Sequence, residues 1–279
     1  MSYKIVIDSC GELPERCKQD PHFESVALSM QVDEDHFVDD ETFDQAEFLK
    51  KVAESPNCPK SSCPSPERYM EAYDCDAERV YVITLSANLS GSYNSAVLGK
   101  NLYHEEKGEK QIFVLDSCSA SVGETLLALK IEECEKAGMT FEEVVETVTA
   151  YREEQHTYFV LETLEVLRKN GRLSNLKAFV ANALNIKPIM GSTPEGQIQQ
   201  LSRTRGINRA VQKMIDHLVA DLKEPGKKIV AIAHCNCPAR AEAAKAEILK
   251  RVPVKDVFIL DTRGISSMYA SDGGLIIVA

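Results

Sequence analysis

Short apolar runs, each closed by small polar residues and followed by a stretch of helical spacing, set the layout of this chain. Residues 80–84 (Val-Tyr-Val-Ile-Thr) are β-branched and aromatic, the composition of a buried strand. The run breaks at Ser86-Ala87-Asn88. From Ser90 a helical pattern takes over, with Tyr93, Ala96, Val97 and Tyr103 on one side. Residues 3–7 and 111–115 repeat the layout, ending at Asp8-Ser9-Cys10 and Asp116-Ser117-Cys118 before a turn and a helix. Such strand ends in one parallel sheet would place Ser9, Ser90 and Ser117 along the same rim.

Elsewhere the period changes. Residues 26–32 alternate, with Val26, Leu28, Met30 and Val32 on one face. A short partner at 36–38, across the acidic turn Asp33-Glu34-Asp35, predicts a hairpin. Residues 43–52 are amphipathic and helical. In the proline-studded loop that follows, Ser65-Pro66 supply an N-cap and a first helical residue. Helices are expected over 119–137, closed by Gly138, and from the capping box Thr140/Glu143 to about Glu154, with Met139 and Val144 as its staple. Beyond them come a strand at 158–161, helical segments at 163–168 and 175–183, and an antiparallel pair at 185–190 and 197–202. A helix at 206–222, strands at 228–234 and 256–260, and a helix at 239–251 follow. After Gly264 the chain reads as small and polar until a terminal strand at 275–278.

The change of pattern between Glu154 and Tyr158 divides the chain into 1–155 and 156–279. The expected fold is α/β in two domains. The N-terminal one is an α/β/α sandwich around a mainly parallel sheet with a small hairpin. The C-terminal one is a mixed, antiparallel-rich sheet with helices, its last strand packing back toward the site between the domains.

Composition narrows the function. A length of 279 residues and 44% hydrophobic content allow a large core. The net charge of −11, with no basic stripe, argues against nucleic acid or an anionic membrane surface as partner. The first residues read as a strand rather than a signal peptide, and no apolar run reaches membrane-spanning length. Nine cysteines, an odd number without a framework spacing, suit free thiols in a reducing cytoplasm.

The candidate chemistry is sparse. Ser90 reads as an N-cap that leaves the N–H groups of Gly91 and Ser92 free to hold an anion, or as a cap and nothing more. Ser61 and Ser62, on a loop stiffened by Pro56, Pro59 and Pro64, either bind a polar ligand group or satisfy their own loop. Asp8 at a strand end suggests a phosphoryl-accepting aspartate. That chemistry wants a second acid two residues on, and Cys10 stands there; capping a turn is the simpler role. Arg172, after the Asn170-Gly171 turn, could reach a carboxylate or phosphate, or tie the turn to an acidic neighbour. His234 reads as structural. Cys235-x-Cys237 lacks a second pair at zinc spacing, and neither a Walker A sequence nor GxGxxG is present. No cofactor or metal is expected.

Taken together, the motifs resemble the DegV family over nearly the whole chain and in the same order. VIDSCGELP is similar to its DSxxDLP, with Glu12 for aspartate. SSCPSP is similar to TSxPSP with Ser61 at the threonine, and LSGSYNSA to LSGTYxSA. VLDSCSASVG, LRKNGRLS (Asn170 for glycine) and LNIKPIM with Gly196, Arg203 and Arg205 complete the set. The resemblance implies a protein that binds one fatty acid between its domains and, in some members, presents it to a separate kinase that makes the acyl phosphate. It also implies that Ser61 and Ser90 hold the carboxylate with Arg172 nearby. Gly91, Ser92 and Ser117 would line the polar end, and Ser62 joins these candidates from the reading of its loop rather than from the resemblance. The glycine-rich ending GPxxGxHxGPG here reads GISSMYASDGG, which puts Ala270 at the family's histidine. Acyl binding should survive that change, whereas acyl-phosphate formation should suffer unless Tyr269 or Ser271 supplies a hydroxyl. A lipid tunnel is drawn from ordinary core residues, and at ~0.8 kcal/mol per buried CH₂ the acyl tail supplies most of the binding energy.

Overall fold

The computed structural model describes residues 2–173 and 185–279; the helix expected over 175–183 lies outside them. The first half runs β1 (Tyr3–Asp8), α1 (Glu15–Lys18), β2 (Phe23–Val26), β3 (Ser29–Val32), β4 (Asp35–Val38), α2 (Gln45–Glu54) and β5 (Lys60–Ser62). It continues with α3 (Pro66–Tyr73), β6 (Arg79–Thr84), α4 (Ser92–Lys107), β7 (Gln111–Asp116), α5 (Val122–Lys136) and α6 (Phe141–Glu153). The second half runs β8 (Thr157–Val160), α7 (Glu165–Lys169), β9 (Ile186–Ser192), β10 (Ile198–Arg205), α8 (Ile207–Asp221) and β11 (Ile229–His234). It closes with α9 (Pro238–Arg251), β12 (Asp256–Asp261), α10 (Gly264–Ala270) and β13 (Leu275–Val278).

Four strands form a fully parallel sheet in the order β2-β1-β6-β7. Its strands are apolar on both faces because helices cover both. Ile5, Ile7, Tyr81 and Ile83 pack on Leu127 and Ile131 of α5 and Val144 of α6. Val6, Val80 and Val82 meet Tyr69, Tyr73 and Ala96 of α3 and α4 on the other side. The Thr140/Glu143 capping box starts α6 as expected.

The second sheet has the order β10-β9-β8-β13-β11-β12, with only β11 and β12 parallel. Helices α8 and α9 bury one face through Met214, Ile215, Ala244 and Ile248. The other face reaches α5, where Val122 and Leu126 pack on Ala231, Ala233 and Val278. α5 is thus wedged between the two large sheets.

Five local expectations need correction. The alternation at 26–32 crosses two sheets: Val26 ends β2, and β3 begins at Ser29. Between them Leu28 gives its N–H to Ser9 Oγ and its carbonyl to Asp39 N–H, so the ladder stops there. The proline loop contains β5, which pairs with β3 and enlarges the hairpin to three strands. The stretch after Gly264 is the helix α10, packed through Ile265 and Met268 against Met30, Phe48 and Leu85. Finally, α4 is capped by Gly91 without a side-chain bond, and α5 starts at Val122 rather than 119.

Candidate ligand-binding site

A cavity of about 770 Å³, part of it continuous with solvent, lies where the loops after β6 and β7 face α10 and the second sheet. Its wall is built from Leu85 and Leu89, Phe159 and Leu161, Ile198, Ile265 and Ile276, with Cys10 and the stretch Cys118–Ser121 beside them. The hydroxyls on this wall are largely turned onto other partners: Ser119 Oγ and Thr157 Oγ1 lie 2.6 Å apart, and Ser121 Oγ donates to Glu12 at 2.6 Å.

One corner of the cavity is polar. Arg172 lines it and sits 5.6 Å from the centre of the Tyr269 ring, a cation–π distance. Among the described residues its guanidinium donates to the carbonyls of Leu89 at 3.1 Å and Asn170 at 2.5 Å, two contacts for a group that carries five N–H donors. The Tyr269 hydroxyl lies 3.0 Å from Ser61 Oγ on β5. Asn170 has a use of its own: its side-chain amide donates to the carbonyls of Pro59 and Val166, fastening the turn to the loop that carries Ser61. The conformation with positive φ falls on Gly171 at 77°.

The remaining expected residues are placed less directly. Ser62 is exposed and its hydroxyl pairs with Ser29 Oγ, because alternation on β5 turns it away from Ser61. Ser90 Oγ accepts from Ser92 N–H and lies 3.1 Å from Ser92 Oγ. Ser92 is fully buried beside Asp8 and Tyr69. Ser117 Oγ closes a local turn with the backbone of Ser119 and is 1% exposed. At Gly91 an added Cβ would come within 3.1 Å of Cys63 Sγ, so the glycine lets the β5–α3 connection approach α4. Of the seven expected residues, Arg172 lines the cavity and Ser61 is one hydrogen bond from it.

Asp8 does not stand as a phosphoryl acceptor. It is fully buried, with Oδ1 accepting from Cys10 N–H and Oδ2 from Leu85 N–H. Burial pushes its carboxyl up to about 6 against those hydrogen bonds. His234 is buried, with Nδ1 accepting from Cys237 N–H and 3.1 Å from Asp261 Oδ1. None of the nine cysteines is in a disulfide.

Tyr269 is the site residue that sequence reasoning undervalued, naming it only as a stand-in for the missing histidine. Ile265, Met268 and Tyr269 have the spacing of one helix face, the signal that marks α10. Ala270 is buried and lines the cavity with a methyl group.

Fold and site together define a two-lobed α/β binding protein with an apolar cavity and a basic, hydroxyl-bearing corner. The chain belongs to the DegV family: the model described as "Uncharacterised protein, DegV family" matches residues 2–279. A DegV domain-containing protein of Streptococcus pneumoniae strain R6 is 36% identical over 279 residues, covering 99% of this chain and 98% of the relative. The DegV-family protein of Ruminococcus gnavus, solved with vaccenic acid, is 62% identical with both chains fully covered and a TM-score of 0.98. The Fatty Acid Kinase (Fak) B3 protein of S. pneumoniae, loaded with linoleic acid, is 35% identical with a TM-score of 0.91, covering 100% and 99% of the two chains. Among the described residues no helix is long and apolar enough to cross a membrane.

Proposed function

We propose that this protein binds one long-chain fatty acid, with the tail in the cavity and the carboxylate at the Arg172–Tyr269–Ser61 corner. Residues 1–155 and 156–279 are the two domains we assign on either side of it. The observation that carries the reading is an apolar cavity with a single guanidinium at one corner, stacked on a tyrosine whose hydroxyl meets a serine. The tail supplies ~0.8 kcal/mol per buried CH₂, and the polar corner orients the head group. The fatty acids held by the R. gnavus and S. pneumoniae relatives support this assignment.

The protein has no chemistry of its own in this reading. It carries the acyl chain to a separate kinase, as the Fak B3 resemblance suggests. Ser90 and Ser92 order the turn behind the head group, and Ser117 the loop behind the tail. Mass spectrometry of organic extracts from denatured, purified protein tests the reading. A near-stoichiometric fatty acid is expected; preparations that carry none and bind no added fatty acid would overturn it.

A further inference from the structure

Behind the cavity wall lies a group of buried acids that lipid binding does not use. We propose that Asp8 and Glu124 share a single proton, forming a carboxylic acid–carboxylate pair that fastens the tip of β1 to the first turn of α5. Asp8 is the anionic member, because both of its oxygens accept backbone N–H groups. Glu124 is fully buried, and among the described residues its oxygens meet no N–H or hydroxyl donor, only the Asp8 carboxyl and the weakly donating Cys10 thiol. A bare carboxylate in that position would be strongly unfavourable. One ligand-type atom from each of Asp8, Cys10 and Glu124 lies within 4.8 Å of the other two. Two carboxyl groups this close do not both ionise, and one proton held between them satisfies both.

Among the described residues the surroundings offer neutral donors, the Ser92 hydroxyl and the Cys10 thiol, but no cation facing the pair. The groups facing the pair are Cys10 and Glu12 after β1, Tyr69 on α3 and Ser92 on α4. Asp39, after β4, acts on Glu12. All are acidic or neutral. Arg263, at the edge of the group, is directed at Asp39 and the Asp40 carbonyl. Burial raises the Cys10 thiol well above its ordinary range, so it faces the pair as a neutral thiol. Burial first, then the Asp8 charge, holds Glu124 well above the carboxylate range, and burial brings Glu12 up to about 7. The folded state therefore binds more protons than the unfolded one. The stabilisation is complete below the unfolded-state carboxyl range of about 4 and is lost as pH rises toward the folded-state values.

Cys10, Ser121 and Ser266, which surround these acids, also line the cavity. Raising the pH therefore loosens the cavity wall from behind. This last consequence rests on the lipid-binding reading; the proton pair does not.

The test compares the parent with Glu124→Gln, whose amide mimics the protonated acid. The parent-minus-variant infrared difference spectrum at neutral pH should show one protonated carboxyl band that belongs to Glu124, while any band from Glu12 is common to both proteins and cancels. From about pH 5 upward the parent's folding constant should fall relative to the variant's, by up to tenfold per pH unit. Bound fatty acid should leave the parent faster at alkaline pH, with a weaker pH dependence in the variant, where Glu12 still titrates. If Glu124→Gln does not fold, the band in the unmodified protein decides. A parent without that band, stability profiles that run parallel, or one retained equivalent of a divalent metal would each overturn the pair. Failure of the release experiment alone, with the band present, would count against the link to lipid binding.

Discussion

The Tyr269 hydroxyl lies 3.0 Å from the Ser61 hydroxyl, so α10 and β5, two hundred residues apart, meet at the polar corner of the cavity. Arg172 stacks on the same ring from a third segment. A head group placed there would meet three side chains whose positions are fixed by one another.

Tyr269→Phe keeps the ring beneath Arg172 and removes the hydroxyl. It should lower fatty-acid affinity by about 1 kcal/mol, roughly fivefold, with little change in Tm. Ser61→Ala should act similarly, and the double variant should lose less than the sum, since the two hydroxyls are one unit. Displacement of a fluorescent fatty acid measures all three. Unchanged Kd values throughout would put the carboxylate elsewhere.

Arg172→Lys tests the planar fork. Lysine keeps the charge but cannot hold the Leu89 and Asn170 carbonyls and still present paired N–H groups. Lipid affinity should fall by less than about tenfold, because the tail dominates it. Kinase-dependent acyl-phosphate formation should fall much further, since it depends on alignment. Equal losses in both assays would contradict this assignment.

Ala270 offers the cavity a methyl where the family motif has a histidine. The parent should bind fatty acid and yet form acyl phosphate more slowly than Ala270→His with a cognate kinase. A proton-bearing ring near the reacting oxygen is what the substitution adds. Equal rates would mean that the Tyr269 hydroxyl already fills the role.

Gly196→Ala probes the contact between the β9–β10 turn and the loop after β6. Gly196 has φ of 78°, and an added Cβ would fall 2.4 Å from Ser86 Oγ and 2.7 Å from the backbone of Cys118. Ser86 Oγ also donates to the Gly196 carbonyl at 2.8 Å. The substitution should destabilise by about 2 kcal/mol or more, read as a drop in Tm. A Tm equal to the parent's would show that the turn detaches freely.

Glu162 should give acid-side sensitivity. Burial alone would raise its carboxyl, but Lys187 at 2.6 Å and Arg240 at 2.9 Å outweigh that and hold it below the ordinary range. Its stabilisation is therefore present above the unfolded-state value of about 4.3 and lost as pH falls through the folded one. The Tm difference between the parent and Glu162→Gln should be largest near neutrality and vanish in acid. A difference that persists there would assign the effect to packing.

Much of the architecture was legible in the residues, and the exceptions have identifiable causes. Strand ends such as Val80–Thr84 show because a doubly covered parallel strand is apolar throughout. α10 stayed hidden because it is only seven residues long, so its apolar face shows as a single i, i+3, i+4 set at Ile265, Met268 and Tyr269 among serines. The break at Leu28 was masked because Val26, Leu28, Met30 and Val32 are all buried, in two different cores. β5 needs a partner thirty residues away, which local spacing does not reveal. In the site, Arg172 and Ser61 were named from their motifs. The Tyr269 contact depends on α10 and could not be seen without it.

β13, the latest of the thirteen described strands in chain order, occupies the interior of the six-stranded sheet, bonded to β8 on one side and β11 on the other. During synthesis those two neighbours emerge long before the strand that joins them. Each must wait with an unpaired edge, of the kind that invites pairing with other chains. Assembly of this half of the molecule is therefore a late event that closes at the middle, with β13 joining two parts of the sheet made before it. A nascent chain stalled before Leu275 is the form most exposed to aggregation and to quality-control proteases.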